Sequence, residues 1–267
     1  MKLSEKYGSW AVVCGGAIGQ GGAHSNRLAS EGVNVCVVDR KAEAAEAKCK
    51  QLEADYGVKT RAIIQDLGND DAAANIIEAT KDLDIGILVY NAAIVNVKEF
   101  KDMDVDFEFY RLNCNVRTML HLCLHYSKPM VARGKGAIII VSSDGAVIGA
   151  PYVSTYSATK AYGMTLAEAM WCELKDKGVD VLGLLPGNTI GQNYTDVPPG
   201  TPGFQTAAEV IEEAYVHLGE YPSWMSGEWN REGLKEVYDS NKRRKEILRY
   251  GEVMEKNTEL YGTESAS

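Results

Sequence analysis

The chain has 267 residues, enough for one large α/β domain or two small ones with a substantial core. Its 37 acidic against 28 basic residues leave a formal charge of -9, which works against binding a phosphate backbone, so no nucleic-acid partner is expected. MKLSEKYGSW at the start has no apolar signal region and runs such as Ala137 to Val141 are far too short to span a bilayer, so a cytoplasmic protein without a membrane span is expected.

Taken in chain order, short β-branched runs alternate with segments of helical period. The strands are predicted at Ser9 to Cys14, Val33 to Asp39, Thr60 to Gln65, Ile85 to Asn91, Gly136 to Ser142 and Val179 to Pro186. Helices are predicted between them at about Gly21 to Glu31, Ala42 to Tyr56, Asp70 to Lys81, Asp104 to Arg133 and Thr155 to Lys177. This rhythm predicts a single-domain α/β fold, a doubly wound parallel sheet with helices on both faces. After Pro186 the rhythm breaks into the polar, Gly/Pro-rich stretch from Gly187 to Phe204, which reads as a binding lid over about 188–225 or as a disordered surface loop. The lid is preferred, because the stretch leaves the carboxyl end of a strand, where open α/β sheets place ligands. Helical segments at Ala207 to Leu218 and in a C-terminal extension at about 229–260 flank YPSWMSGEW, which has room for a short last strand. Six cysteines (Cys14, Cys36, Cys49, Cys114, Cys123 and Cys172) lack C-x-x-C spacing, which predicts reduced thiols and no metal site. The basic run NKRRKE alternates with acids and reads as the solvated face of a helix.

Directly after the first strand, Gly15, Gly19 and Gly21 form a Gly-x-x-x-Gly-x-Gly turn that opens a helix. Glycine suits a sharp turn whose backbone must approach a pyrophosphate, and the helix N-terminus supplies unpaired N–H groups with a partial positive charge. Asp39 closes the second strand 24 residues after Gly15, close to the spacing expected of a ribose-binding carboxylate. It predicts NAD(H), since a carboxylate repels a 2′-phosphate, while capping the next helix is a compatible role. Arg40 beside it is a possible 2′-phosphate partner, so NADP stays open. Asp66, after the third strand, reads either as an adenine contact or as the cap of the next helix.

Two Tyr-x-x-x-Lys patterns occur, Tyr156 to Lys160 in YSATK and Tyr238 to Lys242 in a charged stretch. One helical turn puts each pair on a common face. A carbonyl receiving hydride needs a proton donor, and a free phenol with a pKa of about 10 is sluggish at neutral pH. A fixed ammonium at Lys160 is expected to stabilise the phenolate and lower the Tyr156 pKa. Ser143, at the end of a buried strand, is placed to donate to a substrate oxygen, with Ser142 as the alternative.

These motifs, in this order, resemble the short-chain dehydrogenases/reductases over roughly the first 190 residues. The glycine turn is similar to that family's cofactor fingerprint, YNAA (Tyr90 to Ala93) to its Asn-Asn-Ala-Gly, IVSSDG to its serine strand, YSATK to its Tyr-x-x-x-Lys and LPGNT to its Pro-Gly turn. Ser143 follows Asn115 by 28 residues and precedes Tyr156 by 13, as in the family pattern; Tyr238 has no such context. The resemblance implies a Rossmann-type domain, a catalytic set of Asn115, Ser143, Tyr156 and Lys160, and a water held by Asn115 that links Lys160 to solvent. Asn113 in that role, or Asn115 satisfying backbone groups, are alternatives. Lys160 would also hold the nicotinamide ribose. The implied cofactor wall comprises Ala17, Ile18, Leu67, Asn91, Ala92, Pro186, Gly187 and Thr189 beside the glycines and acids above. Cys14, Tyr90 and Ala93 depart from the family's threonine, first asparagine and glycine.

YGSWAVVCGGAIG, DLDIGILVYNAAI and YSATKAYGMTLAEAMWCEL are most similar to the branch with 17β-hydroxysteroid dehydrogenases and ketoacyl reductases. Val147, Tyr152 and Tyr194, with Trp224, Met225 and Trp229 behind them, suit either a bulky apolar ligand or core packing. The expected substrate is a hydrophobic secondary alcohol or ketone, such as a hydroxysteroid; a reductase of small or acyl ketones is the alternative enzyme. A dinucleotide-binding sensor would keep the fold but has no need of the Ser143, Tyr156, Lys160 and Asn115 set. Apolar surface on Asp104 to Arg133 and Thr155 to Lys177 fits the homodimers or homotetramers that the resemblance implies, or a monomer with a thicker core.

Overall fold

Runs of consecutive apolar residues such as IGILVY and GAIIIV bury both faces of a strand, as a parallel sheet covered by helices demands. The computed structural model describes residues 1–191 and 194–234, with 248, 249 and 252. Its strands are β1 (Trp10–Cys14), β2 (Asn34–Asp39), β3 (Thr60–Ile64), β4 (Ile85–Tyr90), β5 (Gly136–Val141), β6 (Val179–Leu185), β7 (Asn188–Ile190), β8 (Phe204–Thr206) and β9 (Ser223–Met225). Seven form one parallel sheet in the order β3-β2-β1-β4-β5-β6-β9, and β9 is the short last strand of YPSWMSGEW.

The helices are α1 (Leu3–Tyr7), α2 (Gly19–Ser30), α3 (Ala42–Tyr56), α4 (Ala72–Ala79), α5 (Val105–Leu112), α6 (Thr118–Arg133), α7 (Ser154–Leu174), α8 (Ala207–His217) and α9 (Glu228–Leu234). Because alternate strand residues face opposite ways, the sheet has two cores. Val13, Val35 and Val37 pack with Leu28, Leu52 and Ile211 from α2, α3 and α8. Val12, Cys36 and Val38 face Ile76, Leu122 and Ala167 from α4, α6 and α7. This is the single Rossmann-type domain expected, with helices on both faces.

Local chemistry sets the boundaries. Asp104 accepts from Phe107 N–H at 2.8 Å and starts α5, while Gly57 and Gly134 end α3 and α6 in the left-handed conformation. The predicted helix from Asp104 to Arg133 is interrupted by a π-helical turn, Asn113–Arg117, which re-aims its side chains between α5 and α6. All six cysteines are free thiols, and only Cys172 is exposed. Among the described residues no helix is long and apolar enough to cross a membrane, and no group of side chains has metal-ligand clustering. Most of the expected C-terminal helix, with Tyr238, Lys242 and NKRRKE, lies outside the described residues.

At the two ends of the Gly/Pro-rich stretch, β7 and β8 pair as a separate two-stranded parallel sheet. Glu213 on α8 ties this unit down. Its carboxylate accepts from Gln205 Nε2 at 2.8 Å, Gly227 N–H at 3.0 Å, Trp224 Nε1 at 2.8 Å and Arg231 Nη1 at 2.8 Å. One charge therefore joins β8, α8, β9 and α9. Glu213→Gln turns an amide NH₂ toward two of these donors, a cost of about 2 kcal/mol. The expected melting temperature falls by about 4–8 °C, with faster amide exchange across 204–231 and unchanged protection in β1, β4 and β5. An unaltered melting temperature would refute this role.

Candidate active site

The sheet order diverges on either side of β1 and β4, and in open α/β sheets such a switch point leaves a crevice at the carboxyl ends of the strands. A cleft of about 860 Å³ opens there. At one end it meets the glycine turn. Gly15 has φ +72°, and a Cβ there would stand 3.0 Å from the Ala92 Cβ; Gly19 has φ +57° and open space where its Cβ would be. The N-cap residue of α2, Ile18, offers no side-chain acceptor, so the first N–H groups of that helix are left for an anion. These features fit a dinucleotide's pyrophosphate.

Gly15, Ile18 and Gly19 line the cleft, as do Asp39 and Arg40 after β2, Asp66 and Leu67 after β3, and Asn91 and Ala92 after β4. Pro186, Gly187 and Thr189 after β6 complete that wall. Two of the expected cofactor residues do not reach it. Ala17 is packed in the core beneath the turn, and Gly21 serves packing, since a Cβ there would lie 1.8 Å from the Gly15 carbonyl oxygen.

The acids are held by short local bonds. Asp39 Oδ1 accepts from Lys41 N–H at 3.1 Å rather than capping α3 at its first turn. Asp66 accepts from Gly68 N–H at 2.9 Å and from the Tyr110 hydroxyl at 2.8 Å, while α4 starts further on, after its cap position Asp71. Arg40 in turn hydrogen-bonds Tyr110. Tyr110 and Gln20, whose Nε2 donates to Thr189 Oγ1 at 2.8 Å across the cleft mouth, are wall residues that the sequence does not announce, because each is defined by a partner distant in the chain.

At the other end, Ser143, Tyr156 and Lys160 converge on the cleft. Ser142, beside Ser143 on the cleft, donates to the Lys160 carbonyl at 2.7 Å. Lys160 Nζ donates to the Val141 carbonyl at 2.8 Å and lies 5.6 Å from the centre of the Tyr156 ring. Burial lowers the Lys160 pKa to about 8. Tyr156 differs from expectation: burial pushes its pKa up to about 12, against the downward pull of its hydrogen bond with Ser143, and the nearby Asp144 charge raises it further. Desolvation of the phenolate is thus the largest influence on this tyrosine. Ser143 Oγ donates to Asp144 Oδ1 at 2.9 Å, so its hydrogen is directed to that carboxylate rather than to the open cleft.

Asn115 is buried and off the cleft wall. Its Oδ1 accepts from Ile94 N–H at 2.8 Å and its Nδ2 donates to the Ile94 carbonyl at 3.1 Å and to Thr159 Oγ1 at 3.0 Å. Its side chain braces the loop after β4 against α7. Asn113 bonds Gly68 and Asp70.

Of the expected substrate contacts, Ser143 and Tyr194 line the cleft and Val147 and Tyr152 do not. Val147 closes the turn after Asp144, and Tyr152 sits at φ +65° with its carbonyl accepting from Lys98 N–H at 2.8 Å, which turns the chain toward α7. Trp224 is occupied by Glu213 and the His217 ring, Met225 pairs with Leu185 in the sheet, and Trp229 covers a separate hollow over Gly203. Ile94, Val95 and Ile190 provide the apolar lining that the aromatic candidates were expected to give.

Residues 9–198 match the family model described as short chain dehydrogenase. A 7β-hydroxysteroid dehydrogenase of Clostridium sardiniense is 35% identical over 240 residues, covering 88% of this chain and 92% of its own. One from Mediterraneibacter gnavus is 32% identical over 257 residues, covering 94% and 97%. A solved structure described by its insights into 7β-hydroxysteroid dehydrogenase stereoselectivity superposes with a TM-score of 0.88 at 31% identity, covering 94% of this chain and 99% of that one. With its parallel sheet, glycine turn and serine, tyrosine and lysine at the strand ends, the chain belongs to the short-chain dehydrogenase family, in its hydroxysteroid dehydrogenase-like branch, and is an oxidoreductase acting on CH–OH groups.

Proposed function

We propose that the protein interconverts a hydroxysteroid and the corresponding ketosteroid with NAD(H), acting at the 7β position, with Tyr156 as general acid and base. The observation that carries this is the meeting of Ser143, Tyr156 and Lys160 with the dinucleotide cradle in one cleft. The 7β assignment rests on the names of relatives that align over nearly their whole length. A nicotinamide dinucleotide, when bound, supplies or takes the hydride. Tyr156 gives the carbonyl oxygen its proton in reduction and takes it back in oxidation, and Ser143 holds the tyrosine hydroxyl in place. Lys160, anchored on Val141 O and buried against the tyrosine ring, keeps a positive charge near the developing phenolate and the cofactor ribose.

Asp39 supports NAD(H) over NADP(H): its carboxylate faces the cleft where a 2′-phosphate would sit, and Arg40, which would pair with that phosphate, is drawn to Tyr110. The segment over 188–225 acts as the substrate lid, supported by Ile190 and Tyr194 on the cleft wall. Assembly into dimers or tetramers through α5, α6 and α7 is supported by Val105, Phe109 and Leu112, an exposed apolar stripe along α5, and by exposed Leu124 on α6 and Tyr162 on α7.

With a 7-ketosteroid and NADH, the parent protein consumes cofactor, and Tyr156→Phe binds NADH undiminished while turnover falls by roughly 10²–10⁴-fold. Equal turnover in the variant would refute the role of Tyr156. Asp39→Ser shifts the ratio of kcat/KM for NADP(H) over NAD(H) upward by at least ~10-fold as the like-charge repulsion is lost; an unchanged ratio would refute Asp39 as the discriminator.

A further inference from the structure

A carboxylate stands beside Ser143 at the end of the cleft that takes the substrate. Asp144 lines that cleft together with the apolar Ile94, Val95 and Ile190. Its Oδ1 accepts from Ser143 Oγ at 2.9 Å and from Gly145 N–H at 2.7 Å. The backbone behind it is fixed as well, since Asp144 N–H donates to the Pro186 carbonyl at 3.0 Å and Asp144–Ala146 forms a tight helical turn.

Both bonds fall on Oδ1 and lock the plane of the carboxylate. Among the described residues no side chain donates to Oδ2, and no cation forms an ion pair with Asp144. An ionised carboxylate is an acceptor only, with room for about four hydrogen bonds. Burial is the largest influence on this group and raises its pKa, against the pull of the bonds from Ser143 and Gly145. A ligand that displaces water from Oδ2 without donating to it leaves a desolvated charge short of donors. A ligand with a hydroxyl at that place supplies one.

We infer that Asp144 is a substrate-recognition residue: it accepts a hydrogen bond from a hydroxyl on the carbon next to the reacting carbonyl, so the preferred substrate is an α-hydroxy ketone and its product a vicinal diol. The inference rests on the proposed alcohol and ketone chemistry at Ser143 and Tyr156. Spacing selects the neighbouring carbon. Ser143 Oγ and Asp144 Oδ1 stand 2.9 Å apart, and two oxygens on adjacent ring carbons are spaced much like hydrogen-bonded oxygens. A carbonyl oxygen at Ser143 thus brings the hydroxyl of its neighbour to the carboxylate. In reduction the hydride goes from the cofactor to the carbonyl carbon and the Tyr156 proton to its oxygen. The second hydroxyl donates to Asp144 and keeps its hydrogen throughout.

The test compares the parent protein with Asp144→Val and Asp144→Ala, neither of which keeps a side-chain acceptor. Binding is read first, by calorimetry with NAD present so that no ketone is reduced. The parent binds a 7-ketosteroid that carries a hydroxyl on the neighbouring methylene carbon, in one of its two epimers, roughly 10–100-fold more tightly than the plain 7-ketosteroid. In both variants that ratio falls to about one, through weaker binding of the hydroxylated compound. A carboxylate that merely braced its turn would leave the ratio in place, because its loss would weaken both ligands alike. The second readout, with NADH, compares kcat/KM for α-hydroxycyclohexanone and cyclohexanone, which share the local pattern without the steroid. A parent that prefers the hydroxylated compound in neither pair overturns the inference, as does an undiminished preference in variants folded by circular dichroism. If neither steroid binds, while a preference for α-hydroxycyclohexanone vanishes in the variants, the inference stands and the steroid reading falls.

Discussion

Everything in this active site hangs from the carboxyl edge of a parallel sheet. Buried on both faces, β1, β4, β5 and β6 can carry polar chemistry only where they end, and each ends in a residue that the cleft uses: the glycine turn after Cys14, Asn91 after Tyr90, Ser143 after Val141, and Pro186 and Gly187 after Leu185. The sheet register therefore sets the distance between the glycine turn and Ser143. Val12 lies beside Leu88 and Leu88 beside Ile138, so these strand ends are level to within a residue or two.

α7 supplies the rest from one face of a single helix. Tyr156 and Lys160, one turn apart, look into the cleft, while the Lys160 backbone carbonyl accepts from Ser142 and its ammonium from the same helix donates to Val141 O. The helix is thus pinned to the end of β5 by two bonds, both to residues just before Ser143. This attachment keeps a buried lysine satisfied and fixes the serine to tyrosine geometry together. On the other side of α7, Thr159 meets Asn115 in the π-helical turn, which ties the loop after β4 to the same scaffold.

Much of this was legible in the chain. Continuous apolar runs gave away strands such as β4 and β5, because a strand buried on both faces has no alternation to obscure it. Residues directly following strands were placed on the cleft for the same reason. What stayed hidden depends on contacts between distant segments: the Gln20 to Thr189 bridge, Tyr110 against Asp66, the three-residue strands β7 and β8, and the Glu213 hub. Asn115 shows the limit of spacing, since its position was visible but the closure of its amide on Ile94 and Thr159 was not. Ala17 and Gly21 were visible as part of the turn, yet which of its residues face the cleft and which pack inward is decided by how α2 settles on Gly15. Burial likewise reversed the expected sign at Tyr156, because a pattern of residue types carries no measure of desolvation.

The central claim is direct transfer between a dinucleotide held at the glycine turn and a steroid carbon held at Ser143 and Tyr156. Its most direct measurement is to supply NADH carrying deuterium on the transferable face of the nicotinamide C4 carbon with a 7-ketosteroid, and to read the product by mass spectrometry and proton NMR. The account predicts a 7β-alcohol with one deuterium on its carbinol carbon. An alcohol with no deuterium there, from either face of labelled cofactor, would contradict it.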